Sequence, residues 1–389
     1  MKFIDLCSGI GGFHQALTSL GFKCVFASDI DEKCRKNYEI NYGIKPAGDL
    51  TKIDVKDIPM HDILCAGFPC QPFSKAGNQS GFDDNRGNIF FSICNIIKEH
   101  KPKYIILENV RNLSSHDKGN TWITIKSKLV ELGYNIYKDP VILNTLYFGV
   151  PQSRERVIIM CKRKDLGELP ELPEISKKNI KITTLESIME KKVDIKYNIS
   201  GKAKVSNDVW DEFLKILNYN NIIIPKFPIW TDWWDNDVND NITFYNKYKS
   251  WIDKNRAFYN DNLKILENWL IKSREIPEWK GAVRKLEWQT GVNNLDMSQV
   301  LWSQRGSGIR VKKIDYSPTL VAMTSMIPVY GLLGRYLTPR ECARLQSFPE
   351  NYIIDKNDTV AYKQFGNAVN VKMIEKVSRF LINNEKLFE

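Results

Sequence analysis

Three groups of side chains in this sequence stand where their type and spacing allow chemistry. Cys70 lies between two prolines in Phe68-Pro69-Cys70-Gln71-Pro72-Phe73-Ser74. Proline fixes φ, so the thiol sits on a stiff turn, and the apolar run 63–66 just before it reads as a strand. That puts the thiol at a sheet's carboxyl edge, where α/β proteins bind ligands; a lone Cys is otherwise a small buried hydrophobe. Glu108 closes another apolar run in Leu107-Glu108-Asn109-Val110. Partly desolvated there, it can hold a proton near neutral pH and act as a general acid, or it is a capping or ion-pair residue. Arg154 and Arg156, two apart in Gln152-Ser153-Arg154-Glu155-Arg156, project from one strand face. They can meet a polarised carbonyl or a phosphate, or they are surface charge.

A fourth feature opens the chain. Ser8-Gly9-Ile10-Gly11-Gly12 separates a short apolar strand, Lys2–Leu6, from a helical run at 13–20. Strand, glycine turn and helix form the layout of a nucleotide-type cofactor site, with free N–H groups at the helix start. Asp29 ends the next strand about 20 residues on, where a carboxylate can accept both hydroxyls of a ribose. Asp49 follows Gly48 at the end of an expected third strand and offers a second polar hold. The spacing is Gly9-x-Gly11-Gly12, and the chain contains no G-x-x-x-x-G-K-[ST]. An adenosine-containing ligand is thus favoured over a dinucleotide or triphosphate, and a purely structural glycine turn is the alternative.

The elements that must position these residues alternate in the first third of the chain. Apolar runs at 2–6, 24–27, 63–66, 104–107 and 157–160 have strand length, and 89–99 and 122–132 have helical spacing. This pattern predicts an α/β fold with a mostly parallel sheet. At 389 residues the chain suggests two domains. After about Lys164 the composition shifts, and nine of the ten Trp fall in the middle part, most of them expected as core. Residues 248–271 have helical spacing, and 303–308 reads as a flexible polar loop. The expected domains are 1–185, then a smaller domain at 186–362, with 363–389 returning to the first.

The balance of 43% hydrophobic and 26% charged residues excludes disorder over most of the chain. A formal charge of +10 points mildly to a polyanionic partner, with solvated lysines as the bland reading. The eight Cys include no C-x-x-C pair and the four His form no ligand-spaced cluster, so reduced thiols and no metal are expected. No apolar run approaches the roughly 18 residues of a membrane span, and no signal peptide is legible, so a cytoplasmic protein without a membrane partner is expected.

Taken in chain order, these segments resemble the DNA cytosine-5 methyltransferase family, of the bacterial restriction-modification type. The matching segments also include Gly87-Asn88-Ile89-Phe90-Phe91, Ser317-Pro318-Thr319-Leu320, Arg335-Tyr336-Leu337-Thr338-Pro339-Arg340-Glu341-Cys342-Ala343-Arg344 and Gln364-Phe365-Gly366-Asn367-Ala368-Val369. The resemblance covers residues 1–165 and about 300–389. It implies a Rossmann-like domain that uses S-adenosyl-L-methionine and releases S-adenosyl-L-homocysteine, with a smaller target-recognition domain. Cys70 is then the nucleophile that adds to C6 of a flipped-out cytosine, Glu108 the proton donor at N3, Arg156 the hold on O2, and Arg154 a support of the same pocket.

For the cofactor, the resemblance implies Gly9, Gly11, Gly12 and Phe13 around the amino-acid end and adenine, and Asp29 with Ile30 at the ribose and adenine. It also implies Asp49 and Leu50 near the adenine amine, Pro69 beside the sulfonium, and Ile89 and Asn367 in the same site. Two positions depart from the family pattern: Cys7 replaces a common Phe, and Ile30 stands where an aromatic often stacks on adenine. Gln71, Ser74, Arg305 and Arg310 are the expected DNA contacts. The implied partner is double-stranded DNA, bound by a monomer, with a cognate restriction endonuclease possible. The tRNA-modifying branch shares these motifs, and a DNA-binding regulator without catalysis is the other alternative; the long middle segment favours DNA.

Overall fold

The computed structural model describes residues 1–69, 89–181, 183–234 and 242–388. They divide into two compact units, Met1–Ile188 with Pro339–Glu389, and Met189–Thr338. Cys70, Gln71 and Ser74 lie outside the described residues.

The first unit is built on β1 (Lys2–Leu6), β2 (Lys23–Ser28), β3 (Ile63–Gly67), β4 (Tyr104–Val110), β5 (Tyr134–Ile136), β6 (Val141–Asn144), β7 (Gln152–Ser153) and β8 (Glu155–Arg163). Between them run α1 (Gly12–Thr18), α2 (Glu32–Tyr42), α3 (Ile89–His100) and α4 (Asn120–Glu131). The sheet order is β2-β1-β3-β4-β8-β5, with β6 also on β8. Strands β2, β1, β3 and β4 pair in parallel, whereas β8 runs antiparallel to β4, β5 and β6. One reversed strand thus sits in an otherwise unidirectional sheet, the mostly parallel α/β fold expected.

Parallel strands are buried on both faces, which is why β3 (ILCAG) and the interior of β4 read as unbroken apolar runs. On one face Ile4, Leu64, Ile105 and Val157 pack with Phe90, Ile93 and Ile97 of α3 and Ile125 and Leu129 of α4. Each fully buried side chain of this kind stabilises the fold by about 2 kcal/mol. Because β1 to β4 point one way, Cys7, Asp29, Pro69 and Glu108 all come to the carboxyl edge. The third strand expected to end at Asp49 is absent: Ala47 makes an isolated bridge to Ser28, and Asp49 caps a short 3-10 turn, Leu50–Lys52.

The second unit holds α5 (Gly201–Tyr219), β9 (Ile229–Trp230), α6 (Ile242–Asp261), α7 (Leu263–Arg274), β10 (Lys285–Trp288), β11 (Val300–Arg305), β12 (Gly308–Lys313), β13 (Ser317–Pro318), β14 (Val329–Tyr330) and β15 (Arg335–Tyr336). Its sheet order is β15-β14-β11-β12-β10-β9. Trp210, Trp234, Trp269, Trp279, Trp288 and Trp302 lie in its core, so most of the tryptophans are packing residues.

The helical run read at 248–271 is two helices, broken at Asn262, whose backbone leaves helical geometry (φ −120°, ψ 17°). The loop read at 303–308 is a tight hairpin, Arg305 pairing with Gly308 across two residues. Gly308 has φ 133°, and a Cβ there would lie 2.8 Å from the Lys285 carbonyl oxygen, so this strand position requires glycine.

The chain then returns to the first unit through α8 (Pro339–Leu345), α9 (Asp358–Asn367) and α10 (Val371–Asn383). The return begins at Pro339, not 363. Residues 339–362 pack in the first unit because Phe348 and Tyr352 meet Phe365 edge to face, and the Tyr352 hydroxyl donates to the Ile10 carbonyl at 2.9 Å. Among the described residues no helix is long and apolar enough to cross a membrane, and no group of three or more His, Cys, Asp or Glu is placed to hold a metal.

Candidate active site

At the carboxyl edge of the first unit's sheet lies a cavity of about 570 Å³. Its lining joins the end of β1 (Cys7, Gly9), the end of β2 (Ser28, Asp29, Ile30, Asp31), the 48–50 turn, the end of β3 (Gly67, Phe68, Pro69) and Ile89. Glu108, Asn109 and Val110 from β4, Arg154 and Arg156, and Lys363, Gln364 and Gly366 to Ala368 from the returning chain complete it.

Asp29 is held by the turn it faces. Its Oδ2 accepts from Gly9 N at 2.7 Å and its Oδ1 from Asp31 N at 2.8 Å. Burial raises its pKa above the ordinary carboxylate value, and the two backbone donors oppose that shift. Each oxygen keeps a lone pair for a ligand hydroxyl. Asp49 accepts at Oδ1 from Thr51 N (3.0 Å) and Thr51 Oγ1 (2.8 Å), which orients its carboxylate at the wall. Ile30 is 75% exposed beside it, an apolar surface open to a ligand.

The glycine turn divides into two roles. Gly9 lines the cavity; Gly11, Gly12 and Phe13 do not. A Cβ on Gly11, at φ 84°, would lie 2.3 Å from the Tyr42 ring, and one on Gly12 would lie 2.5 Å from the Val369 carbonyl oxygen. These two glycines let α2 and the returning chain approach the turn. Phe13 is a buried core residue of α1. Gly11, Gly12 and Phe13 thus have packing roles in the turn behind the cavity wall.

At the other end of the cavity, Arg156 Nε lies 2.8 Å from Glu108 Oε1, with the two side chains 11% and 10% exposed. The approach is an ion pair without the alignment of a hydrogen bond, and among the described residues Oε1 has no aligned donor. Arg156 Nη1 donates to the Glu155 carbonyl at 2.7 Å. Arg154 is placed differently from its neighbour: Nη1 donates to Gly366 O at 3.1 Å and Nη2 to Ala368 O at 2.9 Å. Burial, then the Arg156 charge, lowers its pKa to about 9, still protonated at neutral pH. Its guanidinium works on the backbone of the returning chain, so it supports the pocket from behind.

Several lining residues have no site role assigned from sequence. Asn109 donates from Nδ2 to Phe68 O at 2.8 Å and accepts from Val110 N, tying the end of β4 to the end of β3. Lys363 pairs with Asp31. Cys7 and Cys34 line the wall, and burial with the Asp29 charge pushes both thiols up to about 12, so they stay protonated and unreactive. Asn109 lies in the Glu108 motif and Cys7 is one of the two departures from the family pattern; Lys363 and Cys34 carry no local signal, since only the fold brings them to the cavity.

In the second unit, Arg310 places Nε and Nη2 on Glu287 Oε2 at 2.9 and 2.8 Å. Arg305 sits at the hairpin end, and burial with the Arg310 charge lowers its pKa.

A family model described as C-5 cytosine-specific DNA methylase matches residues 1–383. The chain is 32% identical over 378 residues to the Type II methyltransferase M.HhaI of Haemophilus parahaemolyticus, covering 97% of this chain and 93% of that protein. It is 36% identical over 393 residues to the Type II methyltransferase M.HpaII of Haemophilus parainfluenzae, covering 99% and 89%. Among solved structures, S. pombe Dnmt2 methyltransferase shares the fold at a TM-score of 0.56 and 17% identity, with 99% of each chain covered. On matches that run through both units and the returning tail, the chain belongs to the C-5 cytosine-specific DNA methylase family, as a methyltransferase of the restriction-modification type.

Proposed function

We propose that this enzyme transfers a methyl group from S-adenosyl-L-methionine to C5 of a cytosine flipped out of double-stranded DNA, at a short specific site. The observation that carries this reading is the single cavity holding a nucleoside-type wall, Asp29 and Asp49 with apolar Ile30, at one end and the Glu108–Arg156 pair at the other. The donor set fits the cofactor: Asp29 for the ribose hydroxyls, Asp49 for the adenine amine, Leu50 and Ile89 for apolar contact, Pro69 and Asn367 nearer the reacting end. S-Adenosylmethionine supplies an electrophilic sulfonium methyl, and S-adenosylhomocysteine is the product.

The chain's own residues must make C5 nucleophilic, because cytosine C5 is too electron-poor to attack unaided. The Cys70 thiolate adds to C6 while Glu108 delivers a proton to N3, so the ring gains an enamine character at C5 without carrying a full negative charge. Arg156 holds O2 and, beside Glu108, orients the carboxyl group. After methylation the C5 proton is lost to solvent, its electron pair re-forms the C5–C6 double bond and expels the thiolate, and N3 returns its proton to Glu108, restoring the ring. A stacked base shows neither face to a thiol and a methyl donor, so the base is flipped. Target recognition is assigned to the second unit, where Arg305 and Arg310 are the first candidates, with Gln71 and Ser74 contacting DNA beside the nucleophile. A cognate endonuclease is the partner to seek in the neighbouring gene.

The test is a duplex with 5-fluorocytosine at the target, which bisulfite sequencing of DNA from expressing cells identifies. Fluorine does not leave as a proton does, so the wild type accumulates a covalent complex and Cys70→Ser does not. A stable adduct with Cys70→Ser removes Cys70 as the nucleophile, and methylation of tRNA in place of DNA overturns the substrate.

A further inference from the structure

The rim of the cofactor cavity carries an ion pair that the methyl-transfer chemistry does not use. Lys363 Nζ, on α9, lies 3.0 Å from Asp31 Oδ2, in the turn between β2 and α2. Both residues line the cavity, and their side chains are 57% and 30% exposed, so the pair stands where cavity meets solvent. It joins two chain segments more than three hundred residues apart in sequence. A second bond runs beside it: Gln364 Nε2 donates to the Lys33 carbonyl at 3.3 Å.

Asp31 is more than a counter-ion. Its Oδ1 caps α2, accepting from Lys33 N at 2.9 Å and Cys34 N at 3.3 Å, which leaves Oδ2 for Lys363. Its backbone N donates to Asp29 Oδ1 at 2.8 Å. Arg35 Nη1 donates to the carbonyls of Asp29 and Ile30, both at 2.9 Å. The turn bearing Asp29 and Ile30 is therefore gripped from helix α2 on one side and from α9 on the other. Burial works against the Asp31 carboxylate, but the Lys363 and backbone hydrogen bonds outweigh it and hold its pKa below the ordinary value.

We propose that the Lys363–Asp31 pair is a positioning clasp across the rim, which holds Asp29 and Ile30 against the bound nucleoside and slows the exchange of S-adenosylmethionine and S-adenosylhomocysteine. This rests on the reading that the cavity takes that cofactor. An exposed ion pair contributes little to folding on its own. Here one partner is fixed by its capping bonds, so less side-chain freedom is lost on pairing, and the effect is concentrated on the escape route of the ligand. The expected effect on binding is a few-fold change.

The experiment is calorimetric titration of both nucleosides, with stopped-flow dissociation, into the wild type, Lys363→Met, Asp31→Asn and the double variant. Asparagine keeps the capping acceptor and removes only the charge. Each single variant should bind both nucleosides about 3- to 10-fold more weakly through faster dissociation, and the double variant no more weakly than either single. Wild-type affinity should fall toward that of the variants as salt rises from about 0.05 to 0.5 M, while theirs stays level.

S-Adenosylmethionine bears a sulfonium charge that its product lacks. A shift confined to S-adenosylmethionine, tighter in Lys363→Met and weaker in Asp31→Asn, would thus reveal a simple charge effect and overturn the clasp. Additive losses, wild-type affinity in both singles, or a matching drop in the melting temperature of the unliganded protein would also overturn it. If the wild type binds neither nucleoside, the cofactor reading itself fails and the clasp falls with it. If Asp29→Ala loses affinity while Lys363→Met does not, only the clasp is wrong.

Discussion

Arg156 and Glu108 face each other across the junction of β8 and β4, with Nε 2.8 Å from Oε1 and both side chains about nine-tenths out of solvent. The antiparallel register makes this meeting possible: Val110 pairs with Arg156 and Glu108 with Ile158, so the two side chains reach the cavity from neighbouring strands. Had β8 run parallel like its neighbours, the arginine motif would have emerged at the opposite edge of the sheet. The reversed strand is thus a condition of the site.

Glu108→Gln should slow methylation by about 10²- to 10⁴-fold, since an amide keeps the shape and one hydrogen bond but delivers no proton. DNA and cofactor affinity should change little. Single-turnover rates with matched binding titrations check this. A rate near wild type between pH 6 and 8 would reduce Glu108 to an ion-pair residue.

Asp29→Ala should act on cofactor affinity, raising the Michaelis constant for S-adenosylmethionine at least 10-fold while kcat changes less, because a ribose contact is made in ground and transition states alike. The pH dependence has a definite sign. The folded pKa of Asp29 is raised above the ordinary 3.8, so the proton is taken up at a higher pH than an exposed Asp would allow. The ligand-accepting carboxylate is complete well above that pKa and is lost as pH falls through it. Cofactor affinity should therefore weaken on acidification before ordinary carboxylates titrate, and Asp29→Asn should remove that inflection. Calorimetry across pH 4 to 7 would show it.

Gly12→Ala should cost stability by about 1–3 kcal/mol, because the new methyl meets the Val369 carbonyl oxygen at 2.5 Å and the backbone must move. Since residues 366–368 line the cavity, cofactor affinity should fall with stability. Gly9→Ala meets nothing within 4 Å but has φ 52°, so its cost should be the smaller one of a left-handed backbone. Thermal melts of both variants, with and without S-adenosylhomocysteine, distinguish packing from ligand contact.

Arg154→Met should lower the melting temperature more than it changes the chemical step at permissive temperature. Two buried backbone carbonyls, of Gly366 and Ala368, lose their donors, and each unsatisfied acceptor costs about 1–3 kcal/mol. If methylation collapses while the melting temperature is unchanged, Arg154 touches the reacting base after all.

In the second unit, Arg310 is held on two nitrogens by Glu287, whereas Arg305 lies at the hairpin end. A guanidinium fixed by a carboxylate is preorganised for a base edge, and one at a hairpin end suits phosphate. Arg310→Ala should relax preference at one base position. Arg305→Ala should weaken binding to all sequences and make its salt dependence shallower. Two variants indistinguishable from wild type at several salt concentrations would place recognition elsewhere.

The chemistry and the class of fold were legible in the sequence because both are written locally. Runs such as ILCAG and YIILENV declare buried parallel strands, and the ends of those runs fix where Pro69 and Glu108 must emerge. A motif of adjacent residues survives without knowledge of its neighbours. What depended on distant segments meeting did not: that Gly11 and Gly12 make room for Tyr42 and Val369, that Arg154 grips the returning chain, that Pro339 and not 363 begins the return, and that Lys363 reaches Asp31. The hairpin at 305–308 likewise passed for a loop, because glycine and serine signal a turn while the pairing of its flanks lies in the register. Backbone propensity and periodicity are properties of a few consecutive residues, so the sequence alone determines the main strands and helices of the first unit and the reactive ends they carry. Contacts across hundreds of residues are selected by packing and hydrogen-bond satisfaction in three dimensions, and only the tertiary structure decides them.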